Sequence, residues 1–270
     1  MLLAHWPEMR TATPLLAVVA LLLAACGGNE RSGQTTTPTT VGVTTGPQAP
    51  PTAPPITVVA YFYRDGRLRP VAFNVPPTRG VANAALQALL DGPPHGYTTA
   101  IPRTTTGRVV GIAKDGSAAL ELPNLSDRAD AQVVYTLTRL PRIAGVGYPG
   151  IQDPATGKAT TGAMTRADYE QFVPPILVES PLPGDQVASP VRVRGTASVF
   201  EATLVVELVQ QGKVVSKETV TASEGAPARG QFLSVLRGGD AGPATIVAFA
   251  PNAAGGPPQH RVDVPIEITP

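Results

Sequence analysis

The sequence predicts an α+β domain followed by an all-β sandwich, both behind a disordered tether. Three observations carry this. The stretch before residue 56 is rich in Thr, Pro and Gly and poor in large apolar side chains. Between about 56 and 173, short β-branched runs alternate with segments whose apolar residues recur at helical spacing. From about 174 to 270 the helical period disappears, and short alternating runs recur between turn signals.

The N-terminal segment explains the cysteine count. The chain of 270 residues has one cysteine, Cys26, in "LLLAACGGNE". A lone thiol makes no internal disulfide and is a poor start for a metal site. Cys26 ends an uncharged run, Leu15 to Ala25, preceded by Arg10. That run is about eleven residues long, where a membrane-spanning helix needs about 20. A basic start, a short apolar core and small residues at its end make a secretory signal peptide over residues 1–25. Leu23-Ala24-Ala25-Cys26 resembles the bacterial lipobox, which implies a diacylglycerol thioether on Cys26 and cleavage before it. The expected location is then the extracytoplasmic face of the cell membrane, with two or three acyl chains as a stable anchor, since each buried CH₂ contributes about 0.8 kcal/mol. The alternative is an ordinary signal peptide with a spare cysteine.

Residues 26–55 form the tether. Gly27 to Pro55 cannot bury enough surface to offset its ordering entropy. As a coil it would span roughly 30 Å, and as extended polyproline II roughly 90 Å. The Thr-Pro cluster from Thr35 to Thr40 is either a site for O-glycans or a bare spacer.

The formal net charge is +1, and removing Glu8 and Arg10 with residues 1–25 leaves it unchanged. This balance lacks the basic excess of a nucleic-acid-binding protein. About 215 residues remain to fold, enough for two domains, placed at 56–173 and 174–270.

In the first, Ile56 to Tyr63 reads as a buried strand, "RDG" as a turn and "LRPVAFNVP" as a second strand. The segment "TRGVANAALQALLDGPP" changes period. Val81, Ala85 and Leu89 share a helical face extended by Ala82, Leu86 and Leu90, with Thr78 as N-cap and Gly92-Pro93-Pro94 as the stop. A hairpin follows, turning at Asp115-Gly116. "SDRADAQVVYTLTRLP" reads as a second helix, capped by Ser126 or Asp127, with Val133, Leu137 and Leu140 inward. "IAGVGY" reads as a strand and "TRADYEQFVPP" as a short last helix. The expected arrangement is helices on one side of a mostly antiparallel sheet.

The runs "ALQALLDGPP…GYTTAIP", "GSAALELP" and "AQVVYTLTRLPRIAGVGY" resemble the GerMN domain of sporulation and germination lipoproteins over most of residues 56–150. These are structural signatures, and no functional residue transfers with them. The resemblance implies an envelope role in sporulation, germination or assembly, and similarity to small ring-building domains of secretion-like complexes.

In the second domain seven runs read as strands: Ile176 to Glu179, Val191 to Thr196, Thr203 to Gln210, Val214 to Ala222, Gln231 to Leu236, Ala244 to Ala250 and Arg261 to Ile268. Gln211-Gly212 marks a hairpin tip. Seven strands without a cysteine pair predict a disulfide-free immunoglobulin-like sandwich, another all-β sandwich or barrel being the alternative. "VESPLPGDQVASPVRVRGTASVFEATLVVELVQQG" and "EGAPARGQFLSVL" resemble the immunoglobulin-like domain that accompanies GerMN in germination-associated proteins.

Chemistry-bearing patterns are sparse. His5 precedes the cleavage site, His95 and His260 fall in different domains, and no His or Cys cluster has metal-ligand spacing. No G-x-S-x-G elbow or P-loop occurs. Asp91, Asp115, Glu121 and Asp130 are the candidate carboxylates for a glycosidase, but three of them fit turns or a helix first turn. Tyr97, Arg103 and Tyr148 are candidate partner or glycan contacts around the 92–103 loop; packing at loop ends is their other reading. The sequence therefore predicts no cofactor and no catalytic set. It predicts a lipid-anchored binding or assembly protein with envelope partners or self-association. A peptidoglycan-binding lipoprotein is the alternative, and a cell-wall hydrolase the distant one.

Overall fold

The computed structural model describes residues 53–148 and 162–270. Cys26, the signal peptide and the tether up to residue 52 lie outside the described residues.

The chain begins with a hairpin, β1 (Ile56–Arg64) and β2 (Arg67–Val75), turning on Asp65 and Gly66, both at positive φ. Two such residues between paired Arg64 and Arg67 make the turn that matches strand twist. Tyr61, Phe62 and Tyr63 are buried in succession, so both faces of β1 are covered. Val58 packs with Ala85 and Ala88 of helix α1 (Val81–Leu90). Tyr61 and Tyr63 meet Tyr135 and Phe172. Residue Gly80, rather than Thr78, is the N-cap of α1. The Thr78 hydroxyl accepts from the Gly80 N–H and so closes the turn one step earlier.

The expected single sheet is two. Strands β3 (Arg108–Ile112), β4 (Ser117–Glu121) and β5 (Gly145–Gly147) form a separate sheet in which β5 runs parallel to β4. The parallel pair needs a crossover, and helix α2 (Asp127–Leu137) supplies it. The reason β1 acquires no third strand lies in α2. Gln132 and Thr136, one helical turn apart and both fully buried, reach the free edge of β1. The Thr136 hydroxyl accepts from Tyr61 N–H, and the Gln132 amide donates to Tyr61 C=O. Two side chains thus do the hydrogen bonding of a neighbouring strand. Helix α2 ends before Leu140, which still packs on the core from the following turn. The expected last helix is a 3₁₀ segment, Arg166–Phe172, with a capping box between Thr165 and Asp168.

The second half is a sandwich of eight strands. Seven match the alternating runs; the eighth, β7 (Gln186–Ala188), is three residues long and too short to show a period. The others are β6 (Ile176–Ser180), β8 (Val191–Ala197), β9 (Thr203–Gln210), β10 (Lys213–Thr221), β11 (Gly230–Leu236), β12 (Gly242–Ala250) and β13 (Gln259–Thr269). Strand order is β10-β9-β12-β13-β7 in one sheet and β11-β8-β6 in the other. The core between them is aliphatic apart from Phe232. Phe232 pairs with Gly195, where any Cβ would collide with its ring and with Leu177 C=O.

The halves meet through β6. Leu177 buries into the first core. Beside it Glu179 accepts from Tyr61 Oη at 2.6 Å and Arg166 Nη1 at 2.7 Å, while Arg139 donates to the Glu179 backbone carbonyl.

Candidate functional site

The segment between α1 and β3 is built to hold an open loop. Asp91 ends α1, with its side chain taking the Gln87 amide at 2.7 Å. Gly92 turns the chain at φ +105°, a conformation that suits glycine, and Pro93-Pro94 prevents further helix. Thr98 then exchanges both backbone hydrogen bonds with Tyr63, at 2.8 and 2.9 Å. The Gln132 carbonyl oxygen accepts from Ala100 N–H at 2.7 Å and Thr99 Oγ1 at 3.0 Å. Ile101 anchors the far side in the core.

Between these anchors the loop encloses a cleft of about 920 Å³. Tyr97 and Arg103 both line it, together with His95. Tyr97 is half-buried, with the Arg64 guanidinium 5.7 Å above its ring, and Arg103 is exposed. Tyr148 lies elsewhere. It borders a smaller cleft of about 200 Å³ with Leu125 and Met164, and its hydroxyl donates to Asp130. Burial, and then the bond to Asp130, push the Tyr148 hydroxyl far above its ordinary pKa. Burial also pushes Asp130 up, while the hydrogen bond from Tyr148 works against it.

The other carboxylates have structural partners. Asp115 accepts from Ser117 N–H in its turn, which holds its pKa low. Glu121 pairs with Arg108 at 2.7 Å. Asp91, Asp115 and Asp130 line three different clefts. Among the described residues, no three His, Cys, Asp or Glu side chains are grouped so as to hold a metal ion.

A second surface lies on β3, an edge strand. Asn83 of α1 occupies the backbone of Val109, donating to its carbonyl and accepting from its N–H. Beyond it the register shifts between Val109 and Gly111, and the side chains of Val110 and Ile112 stand 49% and 48% exposed. Ile112 also borders a cleft of about 570 Å³ with Pro141 and Ile143. Sequence reasoning pointed to a sheet edge without locating it. It missed Gln132 entirely, whose only signal is an amide in an otherwise apolar stretch of α2.

Comparison with known proteins bears on both halves. Residues 59–147 match the Germane family model, described as sporulation and spore germination. Residues 175–257 match the Gmad2 model, described as the immunoglobulin-like domain of bacterial spore germination. Neither description names a catalytic family. No curated protein matches the chain. Among solved structures, the tandem GerMN domains of the sporulation protein GerM from Bacillus subtilis are similar at 16% identity. That match covers 68% of this chain and 61% of that one, with a TM-score of 0.34, so the chain spans about three-fifths of the GerM structure. An engineered protein is similar at 20% identity over 54% of this chain and 37% of its own, with a TM-score of 0.26.

Proposed function

We propose that this chain, a GerMN domain followed by a germination-type immunoglobulin-like domain, is a non-catalytic protein anchored by lipid at Cys26 to the extracytoplasmic face of the cell membrane. There it binds or assembles with other envelope proteins in sporulation, germination or cell-wall processes. The observation that carries this reading is the open end of β3, where Val110 and Ile112 are exposed and Ile112 borders a cleft of mixed polar and apolar lining. The bulge at Val110 disfavours strand addition, so contact there runs through side chains. Confinement to a membrane raises local concentration, which favours contacts too weak to persist in dilute solution. The loop cleft favours a second reading, a wall-glycan contact through Tyr97 and Arg103.

Photoreactive residues at Tyr97, Arg103 and Ile112, with Lys213 as a control, test the reading in cells. Discrete protein adducts at the first three and diffuse background at Lys213 support assembly. Retention of the chain on purified peptidoglycan with no protein adducts favours the glycan reading. The anchor is tested separately: Cys26→Ala is expected to abolish lipid labelling and leave an uncleaved or mislocalised precursor. A Cys26→Ala protein that still fractionates as a mature, detergent-extracted lipoprotein overturns the lipobox assignment.

A further inference from the structure

A pocket of about 220 Å³ lies where the β1–β2 hairpin tip meets β13. Three arginines line it, Arg64 and Arg69 from the hairpin and Arg261 from β13, against two carboxylates, Asp65 and Asp263. One positive charge is in surplus. Arg261 is held by Asp263, its sequence neighbour two along, at 2.9 Å. Among the described residues no carboxylate lies in ion-pair range of Arg64 or Arg69. Arg69 is half-buried, and its Nη1 is buried without an acceptor. Burial pushes its pKa down, with Asp65 opposing, which marks a cation set in a site that does not compensate it. A buried guanidinium N–H without an acceptor is a rare and costly feature, so its retention asks for an explanation. Tyr97 lines this pocket and also the larger loop cleft, so the two recesses share a wall residue.

We propose that this pocket binds an oxyanion, with the planar fork of Arg69 as the principal donor and Arg64 and Arg261 as flanking charges. A guanidinium presents paired N–H groups that match the oxygens of a phosphate or a carboxylate, which a lysine would not. Two sources share that chemistry: a phosphate group and the carboxylate of a peptide. The site stands apart from the assembly reading, since neither Val110 nor Ile112 contributes to it.

The test uses the full chain in detergent micelles, labelled at arginine side chains and titrated with inorganic phosphate in one arm and acetate in the other. The expected result is a saturable movement of the Arg69 Nε–H resonance in at least one arm, and the arm that saturates at lower concentration identifies the group. Arg69→Met is expected to weaken the response at least tenfold and the exposed Arg261→Ala several-fold, whereas Arg108→Ala, at a distant surface ion pair, leaves it unchanged. Arg261→Ala keeps the test decisive if Arg69→Met fails to fold. Linear, unsaturated drift in both arms, or the same response in Arg261→Ala and Arg108→Ala, overturns the proposal.

Discussion

The two halves close their sheet edges in different ways. In the sandwich an edge strand of one sheet, β10, and an edge strand of the other, β11, abut and are stitched by side chains. Glu218 accepts from Ser234 Oγ at 2.6 Å and from Val235 N–H at 2.7 Å, and Ser216 accepts from Arg237 N–H. Exposed Val214 and Leu233 therefore sit on edges whose backbone is partly occupied. In the first half the edge of β1 is filled from α2 by Gln132 and Thr136, and Asn83 fills only the start of β3. The far end of β3 stays open with Val110 and Ile112 outward. Apolar exposure alone does not separate the halves; apolar exposure on an unoccupied edge does, and such side chains are open to contact with a partner.

The strongest way to break the comparison is to cut what joins the halves. Glu179 is 13% exposed at its side chain and takes a Tyr61 hydroxyl and an Arg166 guanidinium. Glu179→Ala leaves the Arg166 charge uncompensated, with an expected loss of about 3–5 kcal/mol in urea unfolding. A loss under about 1 kcal/mol would mean the junction is held by Leu177 and by contacts that do not need the Glu179 carboxylate, such as Arg139 on the Glu179 backbone carbonyl and Arg229 on Pro174 C=O. Burial by itself would raise the Glu179 pKa, but Arg166 and the Tyr61 bond overcome it and hold the carboxylate below its ordinary value. Its contribution is then full above about pH 4.3 and is lost as pH falls through the folded value.

A smaller effect is expected inside the first half. Gln132→Ala orphans the buried Tyr61 C=O, at about 1–3 kcal/mol, and releases the Ala100 N–H, which is only part-buried and can be rehydrated. Hydrogen exchange should accelerate at Thr98 to Ile101 and leave β9 unchanged. Uniform protection across the variant would show that the loop is held by Ile101 and the Thr98 bridge without Gln132.

The smallest effect sharpens the contrast with Glu179. Asp130 has a raised folded pKa, so its penalty is absent below the ordinary Asp value and grows as pH rises through the folded one. Asp130→Asn should therefore raise thermal stability at neutral pH and not at pH 3. A fall at neutral pH would show that the ionised carboxylate with Tyr148 is a net stabiliser.

How much of this was legible follows from the same physics. In the sandwich, alternation along β8 and β11 is written residue by residue, and the Gln211-Gly212 tip announces its turn, so seven strands could be placed. β7 has three residues and pairs only with β13, a partner far along the chain, so nothing local marks it. In the first half the elements were legible, but their division into two sheets was not. That division depends on Gln132 and Thr136 replacing a strand, a tertiary hydrogen-bond choice with no period of its own. Tyr97 and Arg103 fall on one cleft because they share a loop; Tyr148 is drawn away by a buried carboxylate seen only in three dimensions. Glu179 and the arginines around it come from sequence positions too far apart to be read as a group.

The central claim is that contacts with partners run through the first half, at the open end of β3. The most direct measurement places a photoreactive residue at exposed Val110 in three membrane-anchored chains: the parent, Ile112→Glu and Leu233→Glu. Both substitutions put a charge at an exposed aliphatic position, one on each half. The account predicts that Ile112→Glu removes most of the discrete adduct while Leu233→Glu leaves it at the parent level. Equal adduct in the parent and Ile112→Glu, or a loss confined to Leu233→Glu, would contradict it.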